Sequence, residues 1–179
     1  GIALDAQGKR AEALKQYEMV IQLYSLRPEL AFAKVVGTAM FNKAASLGAL
    51  QQNEAAIDAY ALLIQQLEGR AEPELKRFVI EAMMNQAYRL GVLERGDASI
   101  ALYERAVANF AADTDPTIAA HVQTLHTFLA ERQALLRSSR LHQIPNARIA
   151  CRHFCQHRTH KRQRNRHFER GIKIRHGTW

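Results

Sequence analysis

An internal period of 43 residues constrains this chain more than any other feature. Residues 39–50, Ala-Met-Phe-Asn-Lys-Ala-Ala-Ser-Leu-Gly-Ala-Leu, return at 82–93 as Ala-Met-Met-Asn-Gln-Ala-Tyr-Arg-Leu-Gly-Val-Leu, identical at seven of twelve positions. Ile57 and Tyr60 return as Ile100 and Tyr103, and Pro73 returns as Pro116. One period earlier, Leu4 matches Leu47 and Leu90, Ala13 matches Ala56, and Tyr17 matches Tyr60 and Tyr103. A repeat of this length is one supersecondary unit whose apolar face only its neighbours can cover, so the chain is expected to stack. The prolines predict one irregularity. Tyr17 and Pro28 are 11 residues apart, whereas Tyr60–Pro73 and Tyr103–Pro116 are both 13, which implies a two-residue slip recovered before Asn42.

The spacing within each period is 3 and 4, the helical pattern. Met83, Ala87 and Leu90 follow one face, and Ile100, Tyr103, Ala106, Val107 and Phe110 another. The chain is 47% hydrophobic, rich in Ala and Leu and poor in β-branched runs, which favours helices further. Helices are predicted over about 9–25, 28–50, 53–67, 73–93, 97–111 and 116–137, with a stub at 1–6. Asn53, Asp97 and Asp115 are candidate N-caps. Pro73 and Pro116 suit first helical turns, where a missing N–H costs nothing. Ala44, Gly48, Ala87 and Gly91 are expected to let neighbouring backbones approach, and the repeated tyrosines to fill the space between paired helices.

Charge divides the chain. Residues 1–136 carry 13 Lys/Arg and 16 Asp/Glu, whereas 137–179 carry 12 Lys/Arg and one Glu, with both Cys and six of the eight His. The body is therefore mildly acidic and has no disulfide framework, and the net +8 belongs to the tail. Apolar stretches fall short of the roughly 20 residues that span a bilayer, and no signal sequence is visible, so a cytoplasmic location is expected. Gly1 falls inside a repeat, which implies a fragment of a larger protein.

The spacing resembles the tetratricopeptide repeat. A small residue is followed after three positions by a large apolar one, after nine more by an Ala and after four more by an aromatic. Ala44, Leu47, Ala56 and Tyr60 fit it, as do Ala87, Leu90, Ser99 and Tyr103, and Gly1, Leu4, Ala13 and Tyr17. The 43-residue period exceeds the usual 34 and is similar to a long-period bacterial subtype, with Asn42-Lys43-Ala44, Leu47-Gly48 and Leu50 in its helix. Ser99 and the two methionines, Met40 and Met83, depart from the pattern, and the last copy, Leu125-His126-Thr127-Phe128, drifts from it as terminal units do.

The resemblance covers about residues 1–137. It implies an all-α solenoid of antiparallel helix hairpins, a right-handed superhelix, whereas the composition of 138–179 implies a basic, disordered tail. The resemblance also implies a concave groove lined by Thr38, Phe41, Asn42, Ala45 and Ala49 in one unit and by Glu81, Met84, Asn85, Tyr88 and Val92 in the next. Asn42 and Asn85 stand out, because an amide both donates to and accepts from a peptide backbone. The alternative for both is a bond to a neighbouring helix. With Phe41 and Met84 where a carboxylate clamp would need charge, the groove suits an extended or helical peptide, or a helix of the same chain.

In the tail, Cys151, Cys155, His157 and His160 form the one metal-like cluster, with His153 among them. Structural zinc sites separate two ligand pairs by a loop or helix, and this cluster does not, so no metal site is expected. Arg158, Lys161, Arg162, Arg164, Arg166 and Arg170 form a basic patch suited to nucleic acid or an acidic surface, with only Phe154, Phe168 and Trp179 for stacking and no recognised module. The composition also resembles an alternate-frame translation of GC-rich coding sequence. The body offers no nucleophile–base pair and no phosphate loop. The expected function is thus a non-catalytic scaffold without a cofactor, binding a protein or peptide of unknown identity or a neighbouring domain. A nucleic-acid-associated regulator using the tail is the alternative.

Overall fold

The computed structural model describes residues 1–143, and all regular structure among them is helical. The order is α1 (Ile2–Ala6), α2 (Arg10–Tyr24), α3 (Leu30–Ala49), α4 (Asn53–Leu67), α5 (Pro73–Val92), α6 (Gly96–Phe110) and α7 (Pro116–Gln143). Contacts divide the chain after Ala134, and the unit Gly1–Ala134 holds α1 to α6 and the larger part of α7. Within it α2 packs on α3, α3 on α4, α4 on α5 and α5 on α6, and α3 also meets α5 directly.

The 43-residue register is unbroken. Helices α2, α4 and α6 begin at 10, 53 and 96 and have 15 residues each. Helices α3 and α5 begin at 30 and 73 with 20 residues each, and α7 begins at 116. The expected two-residue slip is therefore corrected. The connections 25–29, 68–72 and 111–115 are equal in length, and only the proline moves. Pro73 and Pro116 open their helices, whereas Pro28 lies within the connection and Leu30 opens α3. Both places tolerate a fixed φ and a missing N–H, so proline is a poor ruler for the register. Beside Pro28 the ring of Tyr24 stacks on Phe32 at 5.2 Å, where the next unit has the buried Leu67 and Leu75.

The tight turns 7–9, 50–52 and 93–95 repeat down to their dihedral angles. Gly8, Gln51 and Glu94 have φ of 77°, 60° and 60°. The next N–H reaches back five residues each time: Lys9 to the Leu4 carbonyl at 2.9 Å, Gln52 to Leu47 at 3.0 Å and Arg95 to Leu90 at 2.9 Å. These bonds satisfy carbonyls that a helix end leaves free. Two predicted caps are corrected here. Asn53 is the first residue of α4 and Asp97 the second of α6; Gln52 and Arg95 precede these helices, and neither makes a side-chain capping bond. The left-handed turn closes on backbone alone. Asp115 does cap, its Oδ1 accepting from Thr117 N–H at 2.8 Å and Ile118 N–H at 3.1 Å.

The core follows the stripes. Ala33, Val36, Met40 and Ala44 of α3, spaced 3 or 4 apart, pack with Tyr60, Leu63, Ile64 and Leu67 of α4 and with Phe78 and Val79 of α5. Tyr17, Tyr60 and Tyr103 are buried, as expected. Full burial of one such side chain contributes about 1.5–3 kcal/mol. At Gly37 a Cβ would sit 2.9 Å from the Phe78 ring, so α5 lies flush on α3 there. Gly48 and Gly91 act otherwise than expected. What approaches them is not a backbone but the guanidinium of Arg89 and of Arg132 respectively.

Candidate functional site

The predicted groove residues occupy one stripe on each of two touching helices. Positions 38, 41, 42, 45 and 49 of α3, and 81, 84, 85, 88 and 92 of α5, step by 3 or 4 except within the adjacent pairs 41/42 and 84/85, so each set shares a face. The stripes are only partly open. Phe41 is half-buried, edge-on to Tyr60 at 5.7 Å and 6.5 Å from Phe78, and Met84 also packs against the core. Thr38 Oγ1 donates to the Lys34 carbonyl at 2.9 Å. Ala45 is half-buried and Ala49 exposed. Tyr88 and Val92 are the large apolar side chains that solvent reaches, 52% and 43% exposed.

The two asparagines differ. Asn85 Nδ2 donates to the Glu81 carbonyl of its own helix at 2.8 Å. It is thus tied neither to a neighbouring helix nor wholly free, although its Oδ1 can still accept. Asn42 makes no hydrogen bond with a described residue. Its amide keeps both capacities.

Charge at the site is local and paired. Glu81 Oε1 lies 3.3 Å from His121 Nε2 on α7 and 3.8 Å from Arg77 Nε, four residues earlier on its own helix. Arg89 lies 5.3 Å above the Tyr88 ring and donates to the Gly48 carbonyl at 3.2 Å and to Asn53 Oδ1 at 3.3 Å. Neither arginine forms a bidentate clamp on the stripe. The repeated tyrosines serve the core. Burial pushes the Tyr60 phenol up to about 12, partly offset by Arg89, and burial likewise raises Tyr17 and Tyr103.

The sequence did not expose the arginine–glycine contacts, because Ser46 stands where Arg89 stands one period later. A comparison of position 46 with 89 and 132, set against 5, 48 and 91, is the signal that finds them. Among the described residues no His, Cys, Asp and Glu cluster could hold a metal, and no helix is long and apolar enough to cross a membrane. Cys151, Cys155, His157 and His160, and the basic run from Arg158 to Arg170, lie outside the described residues. No family model, no curated protein and no solved structure matches this chain.

Proposed function

We propose that the chain is a non-catalytic, tetratricopeptide-like solenoid that binds an extended or helical peptide along the stripe shared by α3 and α5. The observation that carries this reading is the side-by-side repetition of one partly open stripe at identical register, offering an unbonded Asn42 amide beside exposed Tyr88 and Val92. Asn42 would pair with a peptide backbone. Tyr88 would supply the rigid aromatic area that dominates many interfaces. Ala45 and Ala49 leave the room that a main chain needs. The partner is a protein or peptide rather than a small molecule, no cofactor takes part, and the setting is the cytoplasm.

The test is a peptide-display selection on the full chain, followed by affinity measurement of the enriched peptides. Tyr88→Ala should weaken them by about 2 kcal/mol, near thirty-fold, and Asn42→Ala by about 1 kcal/mol. Peptides that bind both variants as tightly as the parent would remove the groove assignment.

A second reading rests on the 12 Lys/Arg against one Glu in residues 137–179. A polycation of this density binds nucleic acid through counterion release, with an affinity that falls steeply with salt. Deleting residues 138–179 should abolish such binding; retention by the shortened chain would exclude it.

A further inference from the structure

The open stripe does not end at α5. Helix α7 keeps the register of α3 and α5, and where those helices carry Asn42 and Asn85 it carries Phe128. Within the unit Gly1–Ala134, α7 lies against α5 and α6. His121 Nε2 is 3.3 Å from Glu81, and the Phe128 ring is 6.1 Å from the ring of Tyr103. Tyr88 approaches the same tyrosine from α5. Burial raises the Tyr103 phenol, Arg132 opposes the rise, and Glu131 and Tyr88 add to it, so all three side chains act on one hydroxyl. Tyr103 is buried, whereas Tyr88, Val92 and Phe128 are 52%, 43% and 38% exposed. Tyr103 is thus a floor over which exposed apolar side chains of two helices meet. Grouped in this way they mark a binding surface rather than scattered exposure. Tyr88 has α3 on one side and α7 on the other, so its exposure belongs to the middle of the array and not to an end. Charge at the rim is mixed, Arg89 and Arg132 against Glu131, and both guanidinium groups are turned to Gly48 and Gly91. The rim therefore selects no charged side chain.

We infer that Tyr88 and Phe128 form an anchor subsite of the peptide groove, which takes one large apolar side chain of the bound peptide, Leu, Met or an aromatic. The inference rests on the proposed function. Asn42 and Asn85 can pair with a peptide main chain, but a phenyl ring can do neither half of that task. At the third helix the groove changes from reading backbone to reading a side chain, and Phe128 is the residue that sets this specificity. Packed helices lie about 8–10 Å apart, and an extended chain covers that distance in about three residues. About seven residues of peptide therefore reach from Asn42 to Phe128.

The probe is a random dodecapeptide library displayed on phage and selected on the full chain, with recovered peptides measured by fluorescence anisotropy. They should share one large apolar position, and Ala there should weaken binding about ten-fold. Phe128→Ala should weaken the unaltered peptide equally. The two changes together should cost little more than either alone, because they remove the same contact. Selection on Phe128→Asn, which restores the residue of the other two units, should lose the shared apolar position while binding still depends on Asn42. Phe128 is exposed enough for both variants to fold, which circular dichroism verifies, and the peptide substitution reads the subsite in the unaltered protein. Peptides weakened by Asn42→Ala but indifferent to Phe128→Ala would overturn the subsite and leave the groove standing. So would additive effects of the peptide and Phe128 changes, or an apolar position that survives selection on Phe128→Asn. Recovery of no peptide, or only of peptides indifferent to both Asn42→Ala and Tyr88→Ala, would remove the groove and the subsite with it.

Discussion

Replacing the left-handed residues of the tight turns by glycine should stabilise the protein. Gln51 and Glu94 both hold φ at 60°, where the Cβ of an L-residue crowds the following carbonyl oxygen at a cost of about 1–2 kcal/mol. Glycine removes that cost but gives the unfolded chain more freedom, a penalty of about 0.5–1 kcal/mol. The difference leaves a gain of about 0.5–1 kcal/mol for Gln51→Gly and for Glu94→Gly. For a folded unit of this size the melting midpoint should rise by about 2–4 °C per site. The sites lie one period apart in different turns, so the gains should add. The converse control is Gly8→Ala. Gly8 has φ of 77°, and no heavy atom lies within 4 Å of where its Cβ would stand. Its cost of about 1 kcal/mol is therefore conformational and not steric. Urea titration followed by circular dichroism reads all four proteins, with an unchanged m-value confirming that the native state is being compared. A lower midpoint for either glycine variant would refute the strain argument.

Three further outcomes follow from the core and caps. Leu63→Ala, at a fully buried position, should cost about 2–5 kcal/mol in denaturant unfolding. Asp115→Ala should cost about 1 kcal/mol, because Thr117 and Ile118 lose their acceptor. Alkaline pH should destabilise the protein through Tyr60, whose folded pKa of about 12 exceeds the ordinary 10. The unfolded phenol loses its proton first, so this contribution is intact below pH 10 and declines as pH rises towards 12. Tyr60→Phe should flatten that part of the stability–pH curve.

How much was legible in the sequence depended on what each residue reports. Tyr60 and Tyr103 mark helix period and burial together, and both proved buried. Helix boundaries followed from the same stripes to within two residues, except at α7, which runs to Gln143. Pro28 misled because proline is compatible with a connection as well as a first turn. Asn53 misled because a left-handed turn closed by backbone bonds needs no capping side chain. Of the groove residues, the sequence located the stripe but not its openness. Phe41 and Tyr88 are both aromatic, yet one packs between Tyr60 and Phe78 and the other faces solvent. That difference lies in which neighbouring helix covers each position.

The same positional logic explains how successive units are joined. Two positions 41 residues apart meet at every junction, and their chemistry changes while their geometry persists. Ser46 Oγ donates to Asp5 at the first junction, Arg89 donates to the Gly48 carbonyl at the second, and Arg132 faces Gly91 at the third. Glycine is needed at 48 because the atoms nearest to its missing Cβ all belong to the Arg89 guanidinium, at 2.6–2.7 Å. Arg89 in turn neutralises a carbonyl at the C-terminal end of α3, where the helix dipole favours a cation. This coupling predicts a change of sign. Gly48→Ala gains about 0.5–1 kcal/mol in helix propensity but displaces Arg89 and loses its charge-assisted bond of about 1.5–3 kcal/mol, so it should destabilise. In an Arg89→Ala background the obstruction and the bond are both gone, and the same Gly48→Ala should stabilise. A double-mutant cycle by urea unfolding measures the difference. Equal effects of Gly48→Ala in the two backgrounds would show that the arginine does not join the units.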